Sequence, residues 1–202
     1  MYLDKPLREY LDDLAAKKPA PGGGSAAAVC GALGAGLLAM VGNYTISSHN
    51  PKASEEKIVG ILARAEKARE ELEDLIDLDI KAYTELSAGL KSGKKESVKL
   101  QDLYKKAADT PFEICKLSAE CLRLCSEMID GQNKNLITDT ACAAIMLESS
   151  FFAAKFNVYI NLKYIKDLEY VARVHRALAE LEDKVPELKE EVVEKCEDVV
   201  ER

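Results

Sequence analysis

Residues 19–51 read PAPGGGSAAAVCGALGAGLLAMVGNYTISSHNP, a stretch without a single Lys, Arg, Asp or Glu. In a chain that is 31% charged overall, such a gap marks a segment kept from water. Its apolar part, from Ala26 to Gly42, runs for about 17 residues, just short of a usual bilayer span, and it carries glycines that a lone span inside a charged chain would not need. Gly31, Gly34 and Gly36, with the many alanines, let neighbouring backbones come close. The stretch is therefore predicted to be a central helix buried on nearly all sides, and a second copy of the chain in a homodimer is one source of its neighbours.

The flanking segments share a helical rhythm. MYLDKPLREYLDDL at the N-terminus has no basic leader before an apolar core and reads as a short amphipathic helix, with Leu3, Leu7, Tyr10, Leu11 and Leu14 on one side. From Ser54 to about Leu86, the positions Ile58, Leu62, Ala65, Leu72, Ile76, Tyr83 and Leu86 step by threes and fours, which predicts one long helix capped by Ser54 and ending near Gly89. Helix is again expected from Gly93 to Gly131, broken or kinked at Pro111 into one piece through Asp109 and another from Phe112 to Ile129. GQNKN at 131–135 is a punctuation. Residues 136–182 then lack Gly and Pro and are predicted helical with an interruption near Asn157 or Asp167, and Pro186 is expected to set off a separate terminal helix. Period two is almost absent. The expected fold is all-α, a compact bundle of long antiparallel helices around the Gly/Ala-rich one, with residues 1–202 as a single domain.

Composition narrows the function. The chain has 202 residues, 28 Lys plus Arg against 35 Asp plus Glu, and a net charge of −7. That balance, with no basic stripe, argues against nucleic acid, although a local donor cluster still suits an anionic metabolite. The six cysteines never form a CxxC pair and only His49 and His175 offer imidazole, so no metal site is expected. Reduced thiols and a chain without a leader point to the cytoplasm, with no membrane partner.

Several residues stand out from the periodic background. Gly22, Gly23, Gly24 and Ser25 precede the apolar helix, where three glycines permit a tight turn, Ser25 suits a helix cap, and free N–H groups can receive a carboxylate or phosphate. The same residues also suit a plain turn into a tightly packed helix, and the missing Lys and strand exclude a P-loop. Asp79 falls on the buried side of its helix; a carboxylate there is costly unless paired, and its pKa moves toward a range useful for proton transfer. Asn135 and Asp139 lie at i,i+4 around a helix start, as do Asn157 and Asn161 further on, where amides can either bridge helices or meet a ligand. Asp139 and Asn157 share a face but stand about 27 Å apart on a straight helix. A bend, an extended ligand or another subunit is needed to unite them. Lys52 and Lys155 are candidate anion contacts, His49 reads as a cap or ligand contact, and His175 as solvent-facing.

In combination these segments resemble the formiminotransferase-cyclodeaminase C-terminal domain family. The resemblance rests on PAPGGGSAAA at 19–28, GALGAGLLAMV at 31–41, DLDIKAY at 77–83, ADTPFEIC at 108–115, NKNLITD at 133–139 and NVYINL at 157–162, in order along nearly the whole chain. It implies an all-helical, usually dimeric protein holding folate in a cleft. On this resemblance Asp139 and Asp79 are the catalytic carboxylates, and Gly22, Gly23, Gly24, Ser25, Asn135, Asn157, Asn161 and Lys52 bind substrate. The implied activity is conversion of 5-formimidoyltetrahydrofolate to 5,10-methenyltetrahydrofolate with loss of ammonia, a step of histidine degradation. The alternatives are methenyltetrahydrofolate cyclohydrolase and a non-catalytic folate-binding module. Tetrahydrofolate is then a substrate, no tightly bound cofactor is expected, and transfer from formiminoglutamate is not. GQNKN in place of a shorter GN-type turn, and Thr138 in place of a common Ser, depart from the family pattern.

Overall fold

A computed structural model describes residues 1–46, 52–91 and 98–201, the side chains of 52–54 excepted. Six helices follow in order, α1 (Leu7–Ala15), α2 (Gly23–Ile46), α3 (Lys52–Lys91), α4 (Val98–Met128), α5 (Ile137–Leu162) and α6 (Leu168–Val200). Short 3-10 turns at Tyr2–Asp4 and Lys134–Leu136 complete the described elements, and no strand occurs among them. The fold is the all-α bundle that the periodicity predicts.

The bundle is organised by α2, which touches α3, α4 and α5, while α6 packs on α4 and α5. Close approach is built from small residues. A Cβ on Gly31 would lie 2.8 Å from Ser150 Oγ and 3.1 Å from a Leu72 methyl, and one on Gly34 would lie 2.8 Å from Leu147 Cγ. The hydroxyls in this layer are paired: Ser118 and Ser150 share a bond of 2.9 Å, and Ser150 Oγ donates to the Ala27 carbonyl at 2.8 Å. Such satisfaction is what makes buried hydroxyls tolerable. By length and composition α2 and residues Lys134–Leu162 could each cross a bilayer. The ring of neighbours around α2 makes it instead the core helix of the bundle. It is not enclosed on every side, however: Leu33 is 55% and Tyr44 is 58% exposed.

α1 is the short amphipathic helix expected, with Leu7, Tyr10, Leu11 and Leu14 on one side, although of these only Tyr10 is buried, and Leu3 lies before it in the Tyr2–Asp4 turn. Four local expectations are corrected. Ser54 does not cap α3, which already begins at Lys52. Ser25 is not a cap, because α2 begins at Gly23 and Ser25 lies within its first turn, fully buried. Pro111 breaks nothing, for α4 runs through it from Val98 to Met128. Pro186 likewise sits inside the continuous α6, with Val185 and Val192 buried on either side. The interruption after α5 comes at 163–167, the later of the two expected points, where Asp167 accepts the Tyr170 N–H at 3.0 Å and caps α6.

Candidate active site

Glycine makes room for the key carboxylate. The chain enters α2 through a cis Ala20–Pro21 peptide, and α2 then passes so close to α3 that a Cβ on Gly24 would lie 2.6 Å from Asp79 Cγ and 2.7 Å from its Oδ2. No other residue fits at Gly24 with Asp79 in place. Burial pushes the Asp79 carboxyl up to about 6, partly offset by the Ser25 backbone N–H that bonds it at the start of α2. Desolvation therefore dominates, and the group is mostly ionised at neutral pH but takes up a proton far more readily than an ordinary carboxylate. Behind it, Ser25 Oγ and the Tyr10 hydroxyl share a bond of 3.2 Å, and burial holds the Tyr10 phenol in its neutral form.

Asp79 opens into a cavity of about 310 Å³. Pro19, Gly22 and the first residues of α2, Gly23 and Gly24, form one wall, Ile80, Tyr83 and Leu86 of α3 a second, and Asn157, Ile160 and Asn161 of α5 a third, with Ala107 of α4 also lining it. The volume lies at the lower end of small-molecule sites, enough for the head of a ligand rather than the whole of a long one.

The two asparagines are oriented by the backbone. Having no N–H, Pro111 leaves the Ala107 carbonyl without its helical donor. Asn161 Nδ2 takes that place, donating to Ala107 O at 2.9 Å and to Asn157 O at 2.8 Å. Both partners are carbonyls, so the amide orientation is set, and any further bond from Asn161 is made by its Oδ1 as an acceptor. Asn157 Nδ2 donates to Ala153 O at 2.9 Å, and its amide lies against Gly23, where a Cβ would come within 3.2 Å. A ligand that offers N–H donors to these oxygens and exchanges a proton with Asp79 fits this arrangement.

Of the residues singled out in the sequence, Gly22, Gly23, Gly24, Asp79, Asn157 and Asn161 converge on this cavity. Ser25 reaches it through its backbone N–H. Asn135 and Asp139 do not line it: Asn135 lies in the Lys134–Leu136 turn and Asp139 in the first turn of α5, the latter about 27 Å from Asn157 along that helix. Lys52 opens α3, but its side chain, like all of His49, lies outside the described residues. Lys155 is buried against Glu182 and three aromatic rings rather than in the cavity, and the exposed His175 packs on the Tyr159 ring at 5.3 Å. Two contributors escape the sequence reading. Tyr10 looks like any apolar-face aromatic, and Pro111 looks like a breaker until the spatial neighbour of its orphan carbonyl is known.

A helical bundle in which a glycine-walled cavity holds one buried carboxylate of raised pKa and two backbone-locked amides makes this cavity a candidate acid–base site. Residues 6–180 match the family described as Formiminotransferase-cyclodeaminase. The chain is 32% identical over 183 residues to a methenyltetrahydrofolate cyclohydrolase of Methylorubrum extorquens, covering 87% of this chain and 86% of that one. It is 28% identical over 186 residues to the formimidoyltransferase-cyclodeaminase of Mus musculus, of which it spans only 34%. Its fold superposes on the formiminotetrahydrofolate cyclodeaminase of Thermotoga maritima with a TM-score of 0.91 and 30% identity, covering 99% and 100% of the two chains. The chain belongs to the formiminotransferase-cyclodeaminase family.

Proposed function

We propose that this protein is a folate-dependent cyclodeaminase that converts 5-formimidoyltetrahydrofolate to 5,10-methenyltetrahydrofolate and ammonia. One observation carries the reading: Asp79, held near pKa 6, faces the cavity beside Asn157, Asn161 and the Gly22–Gly24 turn. Starting from the protonated formimidoyl group, N10 attacks the formimidoyl carbon and closes a five-membered ring. The carboxylate takes the proton from N10 and delivers it to the departing nitrogen, which leaves as ammonia while the N5–C–N10 unit becomes the methenyl cation. One proton moves from one nitrogen to the other. A single carboxylate titrating near neutrality performs both transfers. The asparagine oxygens accept from the N–H groups of the pterin edge, and the start of α2 suits the negative glutamate end.

A second reading has its own support, since the relative of matching length is named as a cyclohydrolase. There Asp79 takes a proton from water as the hydroxide adds to the methenyl carbon, then returns that proton to N5 as the C–N5 bond breaks, and the carbinol O–H gives its proton to solvent to leave 10-formyltetrahydrofolate. Both reactions are acid–base chemistry on folate as substrate, with no tightly held cofactor. Asp139 is the second proposed carboxylate, and Asn135 and Lys52 are further proposed substrate contacts. We take the chain as one helical domain working as a homodimer, a state supported by the open faces of α2 and α5. The six free thiols suit a reducing, cytosolic setting; the place in histidine breakdown follows from the formimidoyl substrate proposed.

The test supplies each folate in turn while ammonia and the near-ultraviolet methenyl band are followed together. Ammonia with a rising band supports cyclodeamination. Accelerated loss of the band without ammonia moves the assignment to the cyclohydrolase. Silence in both from folded protein leaves only the folate-binding module.

A further inference from the structure

α1 gives the bundle one buried side chain. Leu7, Leu11 and Leu14 stay exposed, whereas Tyr10 is only 5% exposed. A leucine or phenylalanine would fill that place without a hydroxyl to satisfy, and a buried O–H is a cost unless it finds a partner. Tyr10 finds one in the fully buried Ser25 Oγ at 3.2 Å, and neither hydroxyl has another partner among the described residues.

That bond joins α1 to the turn of α2 that grips the carboxylate. Ser25 gives its backbone N–H to Asp79, and Gly24 beside it accepts the close approach of the same side chain. The segment before α1 is fastened on the other flank. Both Asp77 oxygens accept the Tyr2 N–H at 3.0 Å, the Tyr2 hydroxyl donates to Asp13 at 2.6 Å, and the Tyr2 ring stands edge-on to the Tyr10 ring with centroids 5.3 Å apart. The N-terminal segment is thus tied to α3 two residues before Asp79, and to α2 at the residue that bonds Asp79. The Tyr10 phenol is near enough to Asp79 for that charge to help keep it neutral, yet its bond goes to Ser25.

We propose that Tyr10 is a positioning residue: its hydroxyl pins Ser25 and, through the Ser25 N–H, fixes where the Asp79 carboxylate stands in the cavity. The Ser25 N–H is the contact that counters burial at this carboxyl, so loosening it leaves burial unopposed and the group keeps its proton to higher pH. Nothing else around Asp79 takes over that role. The cavity is faced by the Tyr83 phenol of α3, the Asn157 and Asn161 amides of α5 and Ala107 of α4; α2 is uncharged, and no Lys, Arg, His or second carboxylate lines the cavity among the described residues. Asp77, the nearest carboxylate along α3, is engaged by Tyr2. The consequence for turnover rests on the folate reading above, whereas the consequence for the carboxyl itself does not.

Tyr10→Phe keeps the ring and removes only the oxygen. With the aspartate carboxyls labelled with carbon-13, the Asp79 signal is the one missing from Asp79→Asn, and in Tyr10→Phe its titration midpoint is expected to rise from about 6 by about half to one pH unit. Ser25→Ala is expected to do the same, and the double variant no more than either, because both changes break one bond. A midpoint that stays in place in Tyr10→Phe, the result a merely packing ring would give, overturns the proposal. So do shifts that add in the double variant, since the two residues would then act separately. Helical content is checked throughout, and should Tyr10→Phe fail to fold, Ser25→Ala decides by the same readout. With 5-formimidoyltetrahydrofolate, kcat/KM of Tyr10→Phe is expected to fall about three-fold at pH 6 and less than about two-fold at pH 8, because only the ionised fraction of Asp79 changes. A midpoint that moves in a protein converting neither folate overturns the folate reading and leaves the positioning. Active wild type whose acid limb is unchanged in Tyr10→Phe overturns the positioning and leaves the reaction.

Discussion

The two ends of α5 carry similar side chains in different company. At its C-terminal end Asn157 and Asn161 face a cavity, with Asp79 brought opposite by the glycine approach of α2 to α3. At its N-terminal end Asn135 is exposed and Asp139 half-buried, and neither lines that cavity. Residue type alone does not distinguish these ends. What does is the packing that encloses one of them: a missing Cβ at Gly24, a missing N–H at Pro111, and the neighbours that fill each gap.

The contrast breaks if the enclosed carboxylate is dispensable. Asp79→Asn is expected to lower turnover by about 10²–10⁴-fold, read from the methenyl band with saturating folate. Stability should move the other way. Because folding raises this carboxyl above its ordinary value, the folded state takes up its proton more readily than the unfolded chain, and the ionised form is a cost to folding above about pH 6. The variant is therefore expected to be more stable than wild type at pH 8, by about 1–3 kcal/mol, and no more stable at pH 3.5, where both states of the wild type are protonated. Denaturant melts at the two pH values check it, and an equal gain at both removes the desolvation account.

Two glycines of the same helix sharpen the comparison. Gly24→Ala drives a methyl into Asp79 and is expected to cost about 100-fold in turnover along with 1–3 kcal/mol of stability. Gly31→Ala meets Ser150 Oγ and a Leu72 methyl in the core, away from the cavity. It should cost a similar 1–3 kcal/mol while leaving turnover per folded molecule within about two-fold. If both variants lose turnover equally, the Gly24 approach has no special role.

Much of this was legible before any coordinates. The charge-free run at 19–51 gives α2 its central place, and the three-and-four spacing from Ile58 to Leu86 gives α3 and sends Asp79 inward, because burial in a bundle imposes its period on the side chains. Ser25 and Ser54 mislead as caps for a shared reason. Local pattern says which residues can cap or bury, but the true helix start and the availability of a surface to bury against are set by other elements. Pro111 and Pro186 mislead likewise: propensity counts the lost hydrogen bond, whereas tertiary packing decides whether anything replaces it.

Pro111 offers the smallest and most specific of these tests. In Pro111→Ala the new N–H can close the ordinary helical bond to Ala107 O, the acceptor now held by Asn161. The substitution suits the helix, so stability should change by less than about 1 kcal/mol. Asn161 then competes for its anchor and loses its single orientation, which loosens an amide that binds the ligand without exchanging a proton with it. The expected result is a rise in KM of about five- to ten-fold with kcat within about three-fold, the pattern of lost uniform binding. Asn161→Ala in the same background should add little, because the two changes remove one contact. Equal losses in kcat and kcat/KM would instead put Asn161 in the reacting step, and no change at all would mean that the orphan carbonyl of α4 has nothing to do with how the cavity holds its ligand.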